Sequence, residues 1–270
     1  MIQKISFKIQ EMMKTMNAEV CYLTKNKSYL NPDKASPVGI VVHSTGANNP
    51  YIKRYVQPSE DDGKKDYLLN KIGINRYGNS WNRPSVNKSV HFFIGKLNDG
   101  SVGTVQTLPL DISCWGCGRG KKGSYNYNPT AHIQFEICED ALKDKNYFQA
   151  VYKEAVSLCA ELCRELSLTP DTILSHKEAS KKGFASNHKD IDHWLKKFGS
   201  SMKNFRKDVE KLLDPFILYK VVKGNSLKKI AKKHKTTVAR IIELNCTKYP
   251  SLKTNPNLIK IGWVFLLDRT

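Results

Sequence analysis

The hydrophobic residues between positions 38 and 137 form short β-type runs separated by polar turns. The run VGIVVHST (38–45) is continuous and β-branched, which is typical of a buried strand. The segment VHFFIGKLNDGSVGTVQTLP (90–109) predicts a hairpin that turns at Asn98-Asp99-Gly100. In HIQFEI (132–137), apolar and polar residues alternate, which predicts a strand with Glu136 on its polar side.

Helical periodicity appears between these strands and after them. Residues 147–166 carry apolar side chains at helical intervals, and TILS (172–175) then predicts a strand that ends at His176. This mixture favours an α/β domain with a mixed central sheet flanked by helices. Apolar residues at helical spacing within residues 2–16 predict a short amphipathic N-terminal arm.

A second pattern begins after Leu213-Asp214-Pro215. It predicts a strand (219–222), two helices (227–234 and 238–245) and a closing strand (263–267), a small βααβ unit. We therefore predict three segments: a domain over 1–213 with its core at about 20–200, a linker over 214–218, and a small domain over 219–270.

Composition narrows the class of protein. The 270 residues include 44 Lys+Arg against 25 Asp+Glu, a formal charge of +19, which predicts a polyanionic partner: nucleic acid, anionic lipid or an acidic cell wall. Seven cysteines are too few and too irregular for a disulfide scaffold, which favours synthesis in a reducing compartment. Neither a membrane span nor a signal-peptide core is evident, so we expect synthesis in the cytoplasm without a signal peptide.

Histidines and carboxylates supply the candidate chemistry. His43 and His176 each end a predicted strand, and His188, Asp190 and His193 crowd the segment that follows His176. A catalytic zinc site needs three protein ligands and an open position. A lone histidine at a strand end is also a common hydrogen-bonded structural residue, so the residues alone leave both interpretations open.

Five motifs occur in an order that resembles a known family. They are GIVVHST, SVHFFIGKLNDGSVGTVQTLP, CWGCG, NPTAHIQFEI and LSHKEA followed by ASNHKDIDHW. Together, over about residues 20–200, they resemble the zinc-dependent N-acetylmuramoyl-L-alanine amidases, a superfamily that includes phage endolysins and peptidoglycan-recognition proteins.

The resemblance implies roles for individual residues. His43, His176 and Asp190 match the zinc ligands, and Glu136 matches the glutamate that activates the attacking water. His188 falls where the family often has a lysine that stabilises the transition state. Because Ile191 replaces the usual proline, the register of this loop is open, and His188 is the alternative third ligand.

Other positions are assigned by the same resemblance. His91 and Trp115 are expected to line the substrate cleft, and His193 to support the loop beside Asp192. Where many members have Trp-His-Ala-Gly, this chain has Trp115-Gly116-Cys117-Gly118. Cys114 and Cys117 also form a C-x-x-C, for which a separate zinc or redox site is the alternative.

The C-terminal unit resembles the LysM carbohydrate-binding module over residues 219–267. By that resemblance, a groove for N-acetylglucosamine chains is lined by Gly224, Asn225, Ser226, Leu227, Asn255, Asn257 and Ile259. Asn225 stands where the family usually has aspartate. A basic helix pair for nucleic acid is the alternative, although no aromatic stacking platform accompanies its lysines.

The two resemblances together imply a peptidoglycan hydrolase with Zn²⁺ as cofactor. It is expected to cut the amide between N-acetylmuramic acid and L-alanine as a phage or prophage endolysin against a Gram-positive wall, acting after release from the cytoplasm. A non-catalytic peptidoglycan-binding protein and a host autolysin are the alternatives. The expected partners are muramyl peptides, N-acetylglucosamine-containing glycan and possible anionic wall polymers, with no nucleic acid and no stable membrane insertion.

Overall fold

The computed structural model describes residues 18–214 and 216–269. The predicted N-terminal amphipathic arm lies outside them. The chain divides into two compact units, residues 1–206 and 207–270. This division falls within a helix, Met202–Leu213. The domain limits proposed from the sequence stay predictions.

The first unit is built on a six-stranded sheet. Its strands are β1 (Ala18–Val20), β2 (Ile40–Ser44), β3 (Phe92–Lys96), β4 (Val102–Gln106), β5 (Ile133–Ile137) and β6 (Ile173–Ser175), in the order β1-β4-β3-β5-β2-β6. Only the hairpin pair β3 and β4 is antiparallel. The prediction of a mixed α/β sheet is therefore confirmed.

Helices flank this sheet. They are α1 (Lys27–Leu30), α2 (Lys65–Ile72), α3 (Lys145–Leu166), α4 (His176–Lys182) and α5 (Asp192–Lys197), with 3-10 turns at Ile52–Arg54 and Pro170–Thr172. The helix α6 (Met202–Leu213) contains the division between the two units. The long helix α3 packs against β3 and β4. Asp144 caps its N-terminus, and the Asp144 side chain accepts hydrogen bonds from the N–H groups of Asn146 and Tyr147. No helix of the described residues is long and apolar enough to cross a membrane.

Strand register places polar side chains on one face of the sheet. His43 of β2 pairs with Glu136 of β5, and Val41 pairs with Gln134. Side chains of paired residues point to the same face, and alternate residues along a strand share a face. The register therefore brings His43, Gln134 and Glu136 together, and Phe93 of β3 joins them as a further partner of Glu136.

A capping box joins β6 to α4. The Ser175 hydroxyl accepts a hydrogen bond from the Glu178 N–H at 3.1 Å, and the Glu178 carboxylate accepts one from the Ser175 N–H at 3.1 Å. Arg206 donates two hydrogen bonds to the same carboxylate, at 2.8 and 3.0 Å. His176 is the first residue of α4, so the capping box fixes the position of its Cα and Cβ atoms.

The second unit has a two-stranded antiparallel sheet and three short helices. They are β7 (Phe216–Lys220), α7 (Leu227–Lys233), α8 (Val238–Asn245), α9 (Ser251–Thr254) and β8 (Val264–Asp268). The predicted βααβ order is present, with α9 as an unpredicted addition. Strand β7 begins three residues before the predicted strand, and β8 is displaced by one residue. Leu227, Ile230, Ile241 and Phe265 lie in the core of this unit.

We expect Ser175→Ala to lower the free energy of unfolding by about 1 kcal/mol, because one orphan N–H of the first turn of α4 loses its acceptor in a buried position. Urea unfolding followed by circular dichroism measures the change. Ser180→Ala, in the same helix and outside the capping box, is the matched control, and its free energy of unfolding should change by less than about 0.5 kcal/mol. Equal losses in the two variants would contradict this role of the capping box.

Candidate metal and catalytic site

A pocket opens where β2, β5 and β6 end on the face that carries Glu136. Its lining includes His43, Glu136, His176, His188, Asp190 and His193. The sequence analysis proposed each of these residues as a candidate ligand, catalytic residue or support of the loop. The parallel pairing of β5, β2 and β6 brings them to the same edge of the sheet.

Three ligand-type atoms converge in this pocket. The Nδ1 atoms of His43 and His176 lie 3.0 Å apart, and the Oδ2 atom of Asp190 lies 3.3 Å from the first and 3.6 Å from the second. Ligand atoms of these three residues all fall within 4.8 Å of one another. Two nitrogens and one carboxylate oxygen are a donor set typical of zinc sites.

The outer nitrogens of both imidazoles already have acceptors. Nε2 of His176 lies 3.0 Å from the Ser186 carbonyl oxygen, which can only accept, so Nε2 carries the hydrogen. Nε2 of His43 lies 3.2 Å from Oε1 of Gln134. When Nε2 carries the hydrogen, the lone pair of each imidazole is on Nδ1 and points to the centre of the cluster. Metal-ligating histidines have the same arrangement.

A chain of hydrogen bonds fixes the orientation of the Gln134 amide. The Cys117 N–H donates to Oδ1 of Asn126 at 3.1 Å, and this oxygen also accepts from Nε2 of Gln134 at 3.0 Å. Oε1 of Gln134 is therefore the atom that faces His43. Gln134 has no exposed surface. A Cβ at position 116 would lie 2.5 Å from its Oε1, so any residue other than glycine there would force the Gln134 amide to move.

The pKa values of the three converging groups depend on one another. Burial opposes charge on His43, yet the hydrogen bond that His43 donates to the Asp190 carboxylate raises its pKa well above the usual value. Burial, together with the charge of His43, lowers the pKa of His176 to about 4. A bound cation would replace the proton of His43, since ligands bind metals in their deprotonated form. The residues present therefore fit a metal ion.

Glu136 is a buried carboxyl beside this cluster. Burial raises its pKa to about 7, with a further rise from Asp190 and an opposing effect of His43. Its Oε2 is buried and has no hydrogen-bond partner among the described residues. Tyr55 and Trp81 line the same pocket, and both contact Phe93, with ring centroids 5.3 and 5.0 Å from it. Their apolar rings account for the poor solvation of the carboxylate.

His188 lines the pocket without joining the converging atoms. Its ring centroid lies 4.8 Å from that of His176, and the residue is exposed. His188 is therefore placed to reach a bound molecule, whereas Asp190 is placed to share a cation with the two histidines.

The loop that carries Asp190 is attached to the end of β5. Nε2 of His193 lies 3.0 Å from Oε1 of Glu139, and the Ser44 hydroxyl donates to the same oxygen at 2.5 Å. Glu139 is the acid that supports His193. Within the described part of the chain, Oδ2 of Asp192 is buried without a hydrogen-bond partner.

Two residues expected in the cleft lie elsewhere. His91 is buried, with Nε2 3.0 Å from the Ile112 carbonyl oxygen and Nδ1 accepting from the Gln134 N–H at 3.0 Å. Burial also lowers the pKa of His91 to about 4, so this imidazole is neutral and fully used by the backbone. Trp115 lines a neighbouring groove with Tyr127. Of the motif Trp115-Gly116-Cys117-Gly118, Gly116 lines the pocket that contains His43 and Glu136.

Cys114 and Cys117 are buried free thiols. Burial raises the pKa of Cys114 well above its usual value, which disfavours the thiolate that binds metals. Sγ of Cys117 lies 3.9 Å from Nε2 of His43, behind the ring rather than beside its inward nitrogen. The His-His-Asp cluster includes neither thiol.

Sequence reasoning missed Gln134 and Glu139. The alternation in HIQFEI offered a signal for Gln134, because residues two apart share a face and Gln134 must therefore lie on the side of Glu136. Glu139 follows the strand in a turn, and no sequence pattern related it to His193.

The expected LysM groove residues divide into two groups. The Asn225 side chain accepts from the Val222 N–H at 3.0 Å and from the Tyr219 hydroxyl at 2.9 Å, which closes the loop before α7. Ser226 caps α7, and Gly224 has a φ of 84°. The side chain of Leu227 is 4% exposed and lies in the core, so it cannot line a groove, contrary to the prediction.

The second expected segment is more open. Asn255 and Asn257 are exposed, whereas Ile259 is half-buried against the core. The side chains of the two asparagines are therefore accessible to a ligand.

Two protein families match this chain. The N-acetylmuramoyl-L-alanine amidase family matches residues 33–191, and the LysM domain family matches residues 219–267. An endolysin of Bacillus phage PZA is 54% identical over 44 residues, which are 16% of this chain and 15% of that protein. The matched segment thus spans far less than two thirds of that relative.

Solved structures also resemble this chain. The Staphylococcus aureus hydrolase AmiA, in complex with its ligand, has a TM-score of 0.48 at 20% identity and covers 76% of this chain and 89% of its own. The catalytic domain of XlyA has a TM-score of 0.46 at 22% identity and covers 72% and 99%.

The amidase match covers more than half of the 270 residues and includes His43, Glu136 and His176. The chain therefore belongs to the N-acetylmuramoyl-L-alanine amidase family and carries a C-terminal LysM domain.

Proposed function

We propose that the chain hydrolyses the amide between the lactyl group of N-acetylmuramic acid and L-alanine, with a zinc ion held by His43, His176 and Asp190. The observation that carries this proposal is the convergence of two inward-facing imidazole nitrogens and one carboxylate oxygen beside a buried glutamic acid. A bound zinc ion would polarise the lactyl carbonyl and lower the pKa of an attacking water.

Glu136 is the proton-transfer residue of this proposal. A carboxyl with a pKa of about 7 exchanges protons readily near neutral pH, so it can take a proton from the water and deliver it to the leaving amine of L-alanine. Its uncommitted Oε2 supports this role, because no protein hydrogen bond has to break first.

His188 is the candidate for stabilising the oxyanion. It is exposed at the pocket and projects no atom into the His-His-Asp cluster, so its ring remains available to a substrate. The alternative of His188 as third ligand requires its ring to displace Asp190 from two imidazoles that Asp190 already contacts.

Gln134 is a positioning residue in this proposal. By accepting from Nε2 of His43, it holds the ring in the orientation in which Nδ1 faces the cluster and can bind a metal ion. Its effect is on metal affinity, since it does not line the pocket itself.

The biological setting follows from both domains. A peptidoglycan amidase followed by a LysM domain suits a phage or prophage endolysin that acts on a Gram-positive wall after release from the cytoplasm. A host autolysin would use the same chemistry. The intact His-His-Asp set favours an enzyme over a non-catalytic peptidoglycan-binding protein.

Digestion of purified Gram-positive peptidoglycan should release new N-terminal alanine without new reducing sugar ends. Glu136→Gln keeps the side-chain shape and removes the proton acceptor, so we expect kcat to fall about 10²- to 10⁴-fold. Glu154→Gln, on α3, is the control and should keep the wild-type rate. New reducing ends without alanine ends would make the protein a glycosidase and overturn the proposal.

Asp190→Asn should lower zinc affinity at least about 10-fold, because a ligand charge is lost, whereas His188→Ala should keep zinc and lower kcat about 10²-fold. Zinc bound per chain and competition with a chelator measure the affinity. Asp192→Asn, two residues away, is the control for the loop. Full zinc affinity in Asp190→Asn together with its loss in His188→Ala would make His188 the third ligand.

Gln134→Leu should lower zinc affinity about 10- to 100-fold, because Nε2 of His43 loses the acceptor that fixes its hydrogen. Gln106→Leu, another buried glutamine whose amide donates to a backbone carbonyl, is the matched control for the cost of removing a buried amide. Chelator competition on folded protein is the measurement. Equal zinc affinity in the two variants would leave Gln134 with a packing role alone.

A further inference from the structure

Half of the net charge of the protein lies in its smaller domain. Residues 219–267 contain ten lysines and one arginine against a single acidic residue, Glu243, which leaves +10 of the total +19. This segment is less than a fifth of the chain. The charge is therefore concentrated outside the candidate catalytic pocket.

The carboxylates near these lysines are already paired. Arg240 binds Glu243 at 3.1 Å and Asp268 at 3.0 Å. Among the residues that the structure describes, none of the ten lysines forms an ion pair with a carboxylate. Their charge is therefore uncompensated by the protein.

Six of these lysines form one surface, which we call the α7 basic face. All are exposed, and they lie on α7 or next to its ends: Lys223, Lys228, Lys229, Lys232, Lys233 and Lys235. The opposite side of α7 carries Leu227, Ile230 and Ala231 into the core, which turns the lysines outward.

Bringing these charges together has an energetic cost. Lys228 and Lys232 are four residues apart in a helix, as are Lys229 and Lys233, and like charges at this spacing destabilise a helix by about 0.2–0.5 kcal/mol per pair. Lys229 donates to the Gly224 carbonyl oxygen at 3.0 Å, and Lys233 lies over the Tyr219 ring, but neither contact neutralises the charge. A polyanion bound at this face would remove the repulsion.

The chemistry of the surface distinguishes between polyanions. Single-stranded nucleic acid is usually held by bases stacked on exposed aromatic rings. Over residues 216–269, no aromatic residue is among the exposed large hydrophobic side chains. Tyr249 and Trp263 stack on each other, with ring centroids 4.2 Å apart, and Tyr219 is covered by Lys233. The surface offers cations without stacking platforms.

We infer that the α7 basic face binds the phosphate groups of an anionic wall polymer of the teichoic acid type, in addition to any glycan bound by the LysM domain. This inference rests on the proposed action on a Gram-positive wall. A phosphodiester polymer without bases matches a row of lysines, since binding releases the counterions condensed on the polymer. The face would thus recognise the wall independently of the bond that is cut.

Binding of the full chain to purified walls at 4 °C tests this inference. One sample keeps its teichoic acid, and the other is stripped of it with hydrofluoric acid. We expect wild-type protein to bind the first about 10-fold more tightly, and Lys228→Gln/Lys232→Gln to lose most of that difference. On stripped walls the double variant should bind like the wild type.

Lys203→Gln/Lys207→Gln is the matched control. These two lysines are also exposed and four residues apart in a helix, and the change in net charge is the same. Its affinity for both walls should stay within about 2-fold of wild type. An equal loss in this control would assign the effect to total charge, and an equal loss on stripped walls would assign the α7 face to glycan. Either result overturns the inference.

Soluble poly(glycerol phosphate) provides a second probe. Its affinity should fall as salt rises, with a log-log slope that the Lys228→Gln/Lys232→Gln variant reduces by about two. Single-stranded DNA that binds as tightly under the same salt would overturn the assignment to a wall polymer. Because these measurements need no cleavage, they stand or fail separately from the amidase activity.

Discussion

The candidate site depends on the close approach of two imidazole nitrogens. The Nδ1 atoms of His43 and His176 are 3.0 Å apart, and their outer nitrogens are both held by acceptors. Two inward lone pairs at this distance repel unless a proton or a cation lies between them. The capping box that places His176, the β2–β5 register that places His43, and the loop that carries Asp190 all maintain this arrangement.

The same burial that crowds these nitrogens prepares Glu136. The aromatic rings of Tyr55, Trp81 and Phe93 exclude solvent from one side of the pocket. A carboxylate in such surroundings is poorly solvated, and its pKa rises to about 7. One apolar wall therefore serves two purposes: it packs the sheet, and it gives a carboxyl the acidity that proton transfer near neutral pH requires.

Much of this fold could be predicted from the sequence because its signals are local. The runs around His43 and Glu136, the hairpin turn at Gly100 and the helix Val238–Asn245 each carry their own periodicity or turn residues. Of the elements before β7, strand β1 and helices α1, α2, α4, α5 and α6 were not predicted.

Within the site, the positions of His43, His176 and Asp190 followed from the motifs, whereas the roles of His91 and Gln134 did not. The roles of these two residues depend on their hydrogen-bond partners in other segments of the chain. The sequence of one strand does not identify those partners. The same limit explains Leu227, whose place in the core is decided by packing rather than by the loop motif that contains it.

The glycine at position 116 ties a departure in one motif to a residue in another. Many family members carry a histidine where this chain has Gly116. A Cβ at position 116 would lie only 2.5 Å from Oε1 of Gln134, so glycine leaves the space that this oxygen occupies. A side chain at 116 would displace the amide that holds His43. The two positions therefore constrain each other: a larger residue at 116 requires the Gln134 side chain to move or to be replaced, and either change removes the hydrogen bond that orients His43.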